Sequence, residues 1–227
     1  MKKGFRGALR WIVPFVLMPA LVLMGGRGGE RTYAWVILGM VVLTQALFFA
    51  GFEQKTVGSR RMVIAAVMTA LAVLGRILFA PIPGFKPITA LVVITAIWIG
   101  GETCFLVGSL SALISNFFSG QGPWTPFQMF AWGMIGLMAG MLSGPLKRSR
   151  VLLAVYGALA GAAYSLFMDI WTVLWYNGGI SRELYAAAVA TALPYTLSYA
   201  ASNVAFLLLL GRPFGEKLER VKIKYGV

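Results

Sequence analysis

Two long stretches of this chain contain no charged residue, and they constrain the fold more than any other feature. One covers Thr103–Leu146 and the other Leu184–Gly211, in a chain of 227 residues. A helix that crosses the hydrocarbon core of a bilayer needs about 20 apolar residues, so the first stretch accommodates two crossings and the second one long crossing. The chain is 59% hydrophobic and only 12% charged, about half the charged fraction of a soluble domain. The sequence therefore predicts an all-α integral membrane protein.

Eight apolar segments can be distinguished, and each predicts a membrane helix. The weakest is Ile88–Ile99, which is short for a full crossing, and we expect it to be tilted, extended at its ends or sunk among its neighbours. The first segment has the basic start of a signal peptide. Two prolines interrupt it and the cleavage site is poor, so we expect it to be retained. The segments are Arg10–Met24, Tyr33–Phe52, Met62–Phe79, Ile88–Ile99, Thr103–Phe118, Phe127–Leu142, Val151–Trp175 and Ala186–Leu210.

The basic residues are distributed unevenly between the connections. If the N-terminus is cytoplasmic, 15 of the 20 lysines and arginines fall on the cytoplasmic side, and Arg76 lies within a helix. This bias predicts a multi-pass protein of the bacterial cell membrane with both termini in the cytoplasm. It also explains the net charge of +13 without nucleic acid as a partner. The tail from Arg212 mixes both charges and is expected to form a solvated or interfacial helix. The outer basic residues are Arg27, Arg31, Lys86 and Arg182.

Several classes of chemistry lack the residues they need. The chain has no histidine and a single cysteine, Cys104, which excludes a disulfide framework, a zinc cluster and a histidine-based catalytic set. We therefore expect no bound metal and no cofactor. No enzyme motif and no pair of intramembrane acids is present, so an enzyme is not expected. No phosphate-binding loop of an ATPase is present either, so active transport would need a partner or an ion gradient.

Three connections on the predicted outer side have an unusual composition. Residues 80–87, 119–128 and 175–182 are rich in proline, glycine, aromatic residues and neutral hydrogen-bonding residues. Proline fixes its own φ and restricts the residue before it, so loops of this kind are stiff. Stiff loops that carry aromatic and amide groups suit a pre-organised ligand pocket. The alternative is an aromatic belt at the lipid headgroups together with ordinary helix breakers.

Asp169 is the only acidic residue well inside an apolar segment. An ionisable group there costs about 2.5–3.5 kcal/mol, so it should face the interior and have a partner. Arg76 lies at a similar depth and is the candidate partner. Three roles remain open for Asp169: a structural ion pair, a ligand contact or a proton relay. Thr172 and Tyr176 follow Asp169 at i+3 and i+7 and therefore share its helix face.

Residues 116–133 read Asn-Phe-Phe-Ser-Gly-Gln-Gly-Pro-Trp-Thr-Pro-Phe-Gln-Met-Phe-Ala-Trp-Gly. This stretch lies among six closely spaced helices, the first of which carries Ala66 and Ala70 four residues apart. Together these features resemble the substrate-binding S component of energy-coupling factor (ECF) vitamin transporters, in particular the group for cobalamin and related corrinoids. The resemblance covers Met62–Leu210. It implies a six-helix core in residues 53–227 with a basic cytoplasmic tail, preceded by two additional transmembrane helices in residues 1–52.

The resemblance also implies a mechanism. An S component binds its vitamin from outside in a pocket that the outer loops close. It then associates with a transmembrane coupling subunit, the T component, and with two ABC-type ATPases, and it rotates in the bilayer to deliver the ligand inward. Cobalamin would be the transported ligand and not a cofactor, and Ala66 and Ala70 would contact the T component. The expected substrate-binding residues are Phe85, Lys86, Asn116, Gln121, Trp124, Thr125, Phe127, Gln128, Asp169, Thr172, Tyr176 and Asn177.

Other functions remain as alternatives to this interpretation. The outer residues would also suit a different vitamin or a queuine-like or flavin-like solute. A non-transport scaffold subunit of the bacterial envelope would use the outer loops only as interfacial anchors. An intramembrane enzyme would need a second catalytic group beside Asp169, and a gradient-driven carrier would transport without an ATPase.

Overall fold

The structure is a computed structural model that describes residues 12–25, 35–36, 38–40, 42–44, 46, 59–177 and 181–225. These residues form helices joined by short turns, and no strand occurs among them. A π-helical turn, Val13–Leu17, leads into the first α-helix. The α-helices that we number are α1 (Met18–Gly25), α2 (Ser59–Leu78), α3 (Ile88–Ile99), α4 (Gly101–Ser119), α5 (Thr125–Met141), α6 (Ser143–Arg148), α7 (Arg150–Asn177) and α8 (Arg182–Tyr225).

The helices from α2 onward coincide with the six predicted segments between residues 62 and 210, and the short helix α6 lies between two of them. Three described helices are long and apolar enough to cross a membrane, over Arg60–Leu78, Arg150–Tyr176 and Arg182–Tyr225. The helices at Ile88–Ile99 and Thr103–Ser119 are apolar but shorter. The all-α class and the membrane location are therefore confirmed. The division into residues 1–52 and 53–227 stays a prediction.

The short helix α3 lies at the centre of the bundle. All of its 12 residues except Trp98 are buried, and it packs against α2, α4, α5, α6, α7 and α8. A helix of this length is only about 18 Å long. Because other helices enclose it, α3 does not have to reach both surfaces of the bilayer. The expectation that this segment is sunk among its neighbours is confirmed.

Helices α7 and α8 pack closely against each other beside this centre. A Cβ atom on Gly161 of α7 would lie 2.7 Å from the backbone nitrogen of Ala200 of α8, so the two backbones are nearly in contact. Asn203 Nδ2 donates a hydrogen bond of 3.1 Å to the Gly157 carbonyl, as polar side chains in the middle of membrane helices often do across a helix interface. Glycines on the inner face of α7 thus allow α7 and α8 to approach each other.

Helix α8 is longer than its predicted segment, because the charged tail continues it without a break. Its 44 residues extend for about 66 Å, roughly twice the thickness of the hydrocarbon core. Leu218 in the tail is buried, and Arg60 at the start of α2 donates a hydrogen bond to the Tyr225 carbonyl. The tail is therefore a helix, as predicted, that continues α8 and packs partly against the bundle, while most of its charged residues are exposed.

The described N-terminal residues cover one side of α5 and α7. Val13, Met18, Val36 and Met40 are buried in a second apolar cluster. Residues 1–11, 26–34 and 47–58, on which parts of the first two predicted segments fall, lie outside the described residues. The N-terminal segments are helical at their described positions. Their partners in the cluster are Phe105, Phe127, Phe130, Trp171 and Leu174.

Candidate functional site

The loop between α2 and α3 is fixed to α8 through its backbone. The amide of Lys86 donates to Ser202 Oγ at 2.8 Å, and that hydroxyl donates in turn to the Lys86 carbonyl at 3.0 Å. Ser198 Oγ donates to the Pro83 carbonyl at 2.9 Å. Gly84 has a φ of +72°, in the left-handed region where glycine is favoured. The first of the three predicted outer loops is therefore held in one conformation by two serines of α8.

Phe85 and Lys86, both predicted ligand contacts, are partly buried in this loop. The Phe85 ring packs 5.2 Å from the ring of Phe206, which also contacts Phe79 at 5.1 Å. Burial lowers the pKa of the Lys86 ammonium below its ordinary value, and the positive charge of Arg76 lowers this pKa further. The loop thus approaches the buried arginine of α2.

Arg76 begins a chain of hydrogen bonds that we call the polar network. Its guanidinium donates to Ser115 Oγ and, at 2.7 Å, to Asn116 Oδ1, both at the end of α4. Asn116 Nδ2 then donates to Thr125 Oγ1 at 2.8 Å and to Gln128 Oε1 at 2.9 Å, both on α5. All five side chains are buried. The structure therefore brings Asn116, Thr125 and Gln128, three predicted site residues, into direct contact.

The polar network ends on an aromatic group between α5 and α7. Gln128 Nε2 donates to the hydroxyl of Tyr164 at 3.0 Å, and the Tyr164 ring stacks on Trp132 at 4.8 Å. The Arg76 guanidinium carbon lies 5.2 Å from the centre of the Trp132 ring. A cation over an indole face is attracted by its quadrupole. The buried charge of Arg76 is therefore stabilised by neutral oxygens and an aromatic ring.

The structural ion pair between Arg76 and Asp169, one of three roles left open for Asp169, is not among the ion pairs of the described residues. Arg76 hydrogen-bonds to α4, whereas the Asp169 carboxylate of α7 acts electrostatically on Tyr185 and Tyr199 of α8. Asp169 is only 7% exposed, and its Oδ2 atom has no hydrogen-bond partner among the described residues. The two residues lie at similar depths, and both act electrostatically on Tyr199 of α8. A ligand contact and a proton relay remain as roles for Asp169.

The second outer loop folds back onto α4 through Gln121. This side chain is exposed, yet its Nε2 donates to the Leu113 carbonyl at 2.8 Å and its Oε1 accepts from Thr125 Oγ1 at 2.9 Å. Gln121 therefore extends the polar network to the surface of the protein.

Trp124 and Phe127 connect this loop to the N-terminal cluster. Trp124 is partly buried, and its ring meets Trp171 of α7 edge to face at 5.7 Å. Phe127 is completely buried, and its ring lies 5.8 Å from that of Phe167. The structure thus places Trp124 next to the polar network residues of α5 and makes Phe127 a core residue in this arrangement.

The remaining predicted residues on α7 are not part of the polar network. Thr172 Oγ1 donates to the carbonyl of Met168 in its own helix at 3.1 Å, and Tyr176 is 75% exposed. Asn177 is the last residue of α7, and its side chain lies outside the described part. The buried indole nitrogen of Trp171 has no hydrogen-bond partner among the described residues. The structure therefore does not bring Asp169, Thr172 and Tyr176 together, since Asp169 is buried and Tyr176 is exposed.

Two central residues were missed by the sequence reasoning. Tyr164 closes the polar network and Trp132 carries the cation–π contact, and neither was predicted as a site residue. Trp132 follows Gln128 by four residues on one helix, so the sequence alone places both side chains on the same helix face and could have identified Trp132. Nothing local in the sequence indicated Tyr164, which is 36 residues from Gln128.

Ala66 and Ala70, the predicted partner contacts, lie on the outer surface of α2. Both are exposed, whereas Ala65 and Met68 on the opposite face are buried. The two alanines are therefore not internal packing contacts of this bundle. Exposed apolar side chains continue the same surface at Val63, Val67, Leu74 and Leu78.

Metal binding finds no support in the described part of the chain. No group of three or more histidine, cysteine, aspartate or glutamate side chains there could hold an ion. Cys104 is buried and free, as expected for a small packing residue.

A comparison with protein families identifies the family of this chain. The family model described as "ECF transporter, substrate-specific component" matches residues 60–221. The matched region runs from α2 through most of α8 and includes the whole polar network. No curated protein and no solved structure matches the chain.

Proposed function

Because the chain belongs to the ECF transporter substrate-specific component family, we propose that it is the vitamin-binding S component of an ECF-type importer for cobalamin or a related corrinoid. Members of this family are substrate-binding transport subunits rather than enzymes, and they work with a T component and ATPases. In this proposal the chain captures the vitamin outside the cell and delivers it inward with these partners. The family match over residues 60–221 is the observation that carries the proposal.

The polar network supports a ligand site at the end of the bundle that bears the long loops. Its members come from α2, α4, α5 and α7, so a ligand that engages it would contact four helices at once. The docked α2–α3 loop and the Gln121 loop border the same region. In this arrangement the polar groups satisfy one another, so an incoming ligand would exchange these internal hydrogen bonds for its own.

The chemistry of the network favours a ligand with many neutral hydrogen-bonding groups. A corrinoid carries carboxamides around a large, partly apolar ring. Asn116 and Gln128 offer amide donors and acceptors, and Trp124 with Trp171 offers aromatic surface. Such a combination of apolar walls and a few placed polar groups is typical of small-molecule sites. A queuine-like or flavin-like ligand would use the same groups and is the alternative substrate.

Asp169 supports a ligand with N–H donors. Its Oδ2 atom is buried without a partner among the described residues, which is costly unless a further group pairs with it. In the proposed complex a carboxamide N–H of the vitamin donates to this oxygen. Arg76 would then orient the polar network, and it would not neutralise Asp169.

The proposal assigns a role to each part of the chain. Residues 53–227 form the six-helix core of the S component, with both termini of the protein in the cytoplasm. Residues 1–52 add two transmembrane helices, which support the α5–α7 side of the core through the cluster at Val13 and Val36. Ala66 and Ala70 contact the T component, because small exposed side chains let another helix approach closely.

A binding experiment tests the proposal directly. The full chain, purified in detergent, is titrated with cobalamin, a flavin and queuine by isothermal calorimetry. We expect saturable binding of cobalamin, and a loss of about tenfold or more in affinity for Trp124→Ala, as for an anchoring aromatic residue. Trp35→Ala is the matched control, because this indole is 68% exposed.

The outcomes distinguish the role of the chain as an S component from the identity of its substrate. If another vitamin binds tightly and Trp124→Ala weakens that binding, the S-component role is supported and cobalamin is excluded as the substrate. If none of the three ligands binds and the wild-type chain is folded, the proposed corrinoid specificity is wrong.

A further inference from the structure

A second site lies at the other end of α3, far along the bundle from the polar network. It is a cleft of about 560 Å³ between the end of α3, the α6–α7 junction and residues 207–219 of α8. The positive-inside bias places this end of the bundle at the cytoplasmic face. The charged residues at its rim are Lys147, Arg148, Arg150, Arg212, Glu216 and Glu219.

Two of the four cations at this rim have no counter-ion among the described residues. Arg148 and Arg150 are exposed, and neither forms an ion pair or a side-chain hydrogen bond with any residue that the structure describes. Arg150 is also the first residue of the 28-residue helix α7, whose N-terminal dipole adds positive potential at the same point. The other cations are already neutralised, in the pairs Lys147–Glu219 at 3.7 Å and Arg212–Glu216 at 3.0 Å.

The floor of the cleft is apolar. Leu153 and Leu207 are buried beneath it, and Leu208 lines it with 43% of its surface exposed. The ring of Trp98 lies in the wall, 5.2 Å from Lys147 Nζ. A ligand that fits this cleft therefore combines a negative group for the rim with an apolar part for the floor.

We propose that this cleft binds an anionic phospholipid of the inner leaflet, with Arg148 and Arg150 donating hydrogen bonds to its headgroup phosphate. Guanidinium groups match phosphate oxygens in geometry and charge. The acyl chain lies along Leu208, where the floor opens to the outer surface of α8. Free phosphate would leave the apolar floor unused, and basic pockets between membrane helices on the cytoplasmic side are suited to lipid headgroups.

Native mass spectrometry of the full chain in detergent tests this proposal without reference to the vitamin. Delipidated protein is titrated with phosphatidylglycerol and with phosphatidylcholine of the same acyl chains. We expect phosphatidylglycerol to bind preferentially, and the double variant Arg148→Gln/Arg150→Gln to weaken its binding about 30-fold, as for two lost cation–headgroup contacts. The matched control is Arg220→Gln/Lys224→Gln, which removes the same charge from α8 outside the cleft and should change the binding less than about threefold.

Several results would overturn the proposal. Equal binding of the two lipids excludes a specific headgroup site, and equal losses in both double variants indicate a general surface charge effect. If inorganic phosphate at millimolar concentration displaces the lipid completely, the cleft is a phosphate site. If the lipids show no preference but Arg148→Gln/Arg150→Gln prevents copurification with the coupling subunit, the cleft is a protein contact. Unchanged circular dichroism and melting temperature of both variants establish that they are folded.

Discussion

The guanidinium of Arg76 and the amide of Asn116 are joined across the α2–α4 interface by a hydrogen bond of 2.7 Å. This bond determines the orientation of the Asn116 amide, because only Oδ1 can accept from a guanidinium. Nδ2 is then directed at α5, where it donates to both Thr125 and Gln128. A single buried cation thus sets the direction of the donors and acceptors along the whole polar network.

The first prediction concerns the stability of this arrangement. Asn116→Leu removes three hydrogen bonds and leaves the buried Gln128 Oε1 without its donor. Each buried polar group left unpaired costs about 1–3 kcal/mol, so we expect a loss of about 3 kcal/mol or more in the free energy of unfolding. The measurement is denaturant unfolding of the purified chain in detergent, followed by circular dichroism.

Asn203→Leu is the matched control for this variant. Asn203 is also buried, at 2% exposed, but the structure records one hydrogen bond from its side chain, to Gly157. The same substitution should therefore cost clearly less. Equal losses at the two positions would show that the polar network adds nothing beyond the burial of an asparagine.

The helices themselves could be predicted from the sequence because hydropathy and charge are local properties. Apolar runs bounded by charges or prolines placed α2, α3, α4, α5 and α7 within a few residues, whereas the short helix α6 was not predicted. Helix α8 is longer than its apolar segment, and its charged tail was predicted as a solvated or interfacial helix. Its continuation depends on tertiary contacts, such as the packing of Leu218 and the bond between Arg60 and the Tyr225 carbonyl. No pattern within the tail contains that information.

The second prediction concerns the contact between α7 and α8. A Cβ atom at Gly161 would lie 2.7 Å from backbone atoms of Tyr199 and Ala200, which cannot rotate away as a side chain can. We expect Gly161→Ala to separate the two helices and to destabilise the protein by about 1–3 kcal/mol. The melting temperature of the purified chain in detergent is the measurement.

Gly144→Ala provides the control for this substitution. Gly144 also lies in a helix, but no atom lies within 4 Å of the position that a Cβ atom would take there, and alanine is favoured over glycine in a helix by about 0.5–1 kcal/mol. This variant should be as stable as the wild type or slightly more stable. A Gly161→Ala protein that melts at the wild-type temperature would contradict the close packing of α7 and α8.

The sequence identified several residues of the candidate site but not the contacts between them. Asn116, Thr125 and Gln128 lie close together in sequence, and their composition indicated a polar cluster. Which groups pair with them depends on how α2 and α7 face α4 and α5. Whether Arg76 pairs with Asp169 could not be decided from the sequence either, because depth along a helix does not give the direction in which each side chain leaves its helix.

The third prediction separates ligand binding from stability at Asp169. Asp169→Asn keeps the shape of the side chain but removes a buried charge whose Oδ2 atom has no hydrogen-bond partner among the described residues. We expect the ligand-free variant to be as stable as the wild type or more stable. If Asp169 accepts an N–H of the vitamin, the affinity should fall by about tenfold, since a hydrogen bond to a charged group contributes about 1.5–3 kcal/mol.

Calorimetric titration and thermal melting of the same preparation measure both effects. Glu183→Gln is the control, because this acidic residue is exposed in the first turn of α8 and should change neither quantity. If the Asp169→Asn protein binds the vitamin normally but melts at a lower temperature, the carboxylate stabilises the fold and does not contact the ligand.

The last prediction concerns the exposed surface of α2. Ala70→Trp places a large ring on the face that the proposal assigns to the T component, where close approach requires small side chains. Since Ala70 is exposed in the isolated chain, we expect the variant to fold and to bind its vitamin with wild-type affinity. Copurification with the coupling subunit and its ATPases should fall by about tenfold, because a steric obstacle in the centre of a helix interface costs at least about 1.4 kcal/mol of binding free energy.

Ala163→Trp is the matched substitution on another helix. Ala163 is an exposed alanine in the middle of α7, so the new ring adds the same apolar area to the outer surface of the bundle. This variant should copurify with its partners as the wild type does. Equal losses for both variants would mean that the bulk of the ring disturbs the bundle or its insertion in general, and normal assembly of Ala70→Trp would place the coupling interface on another helix.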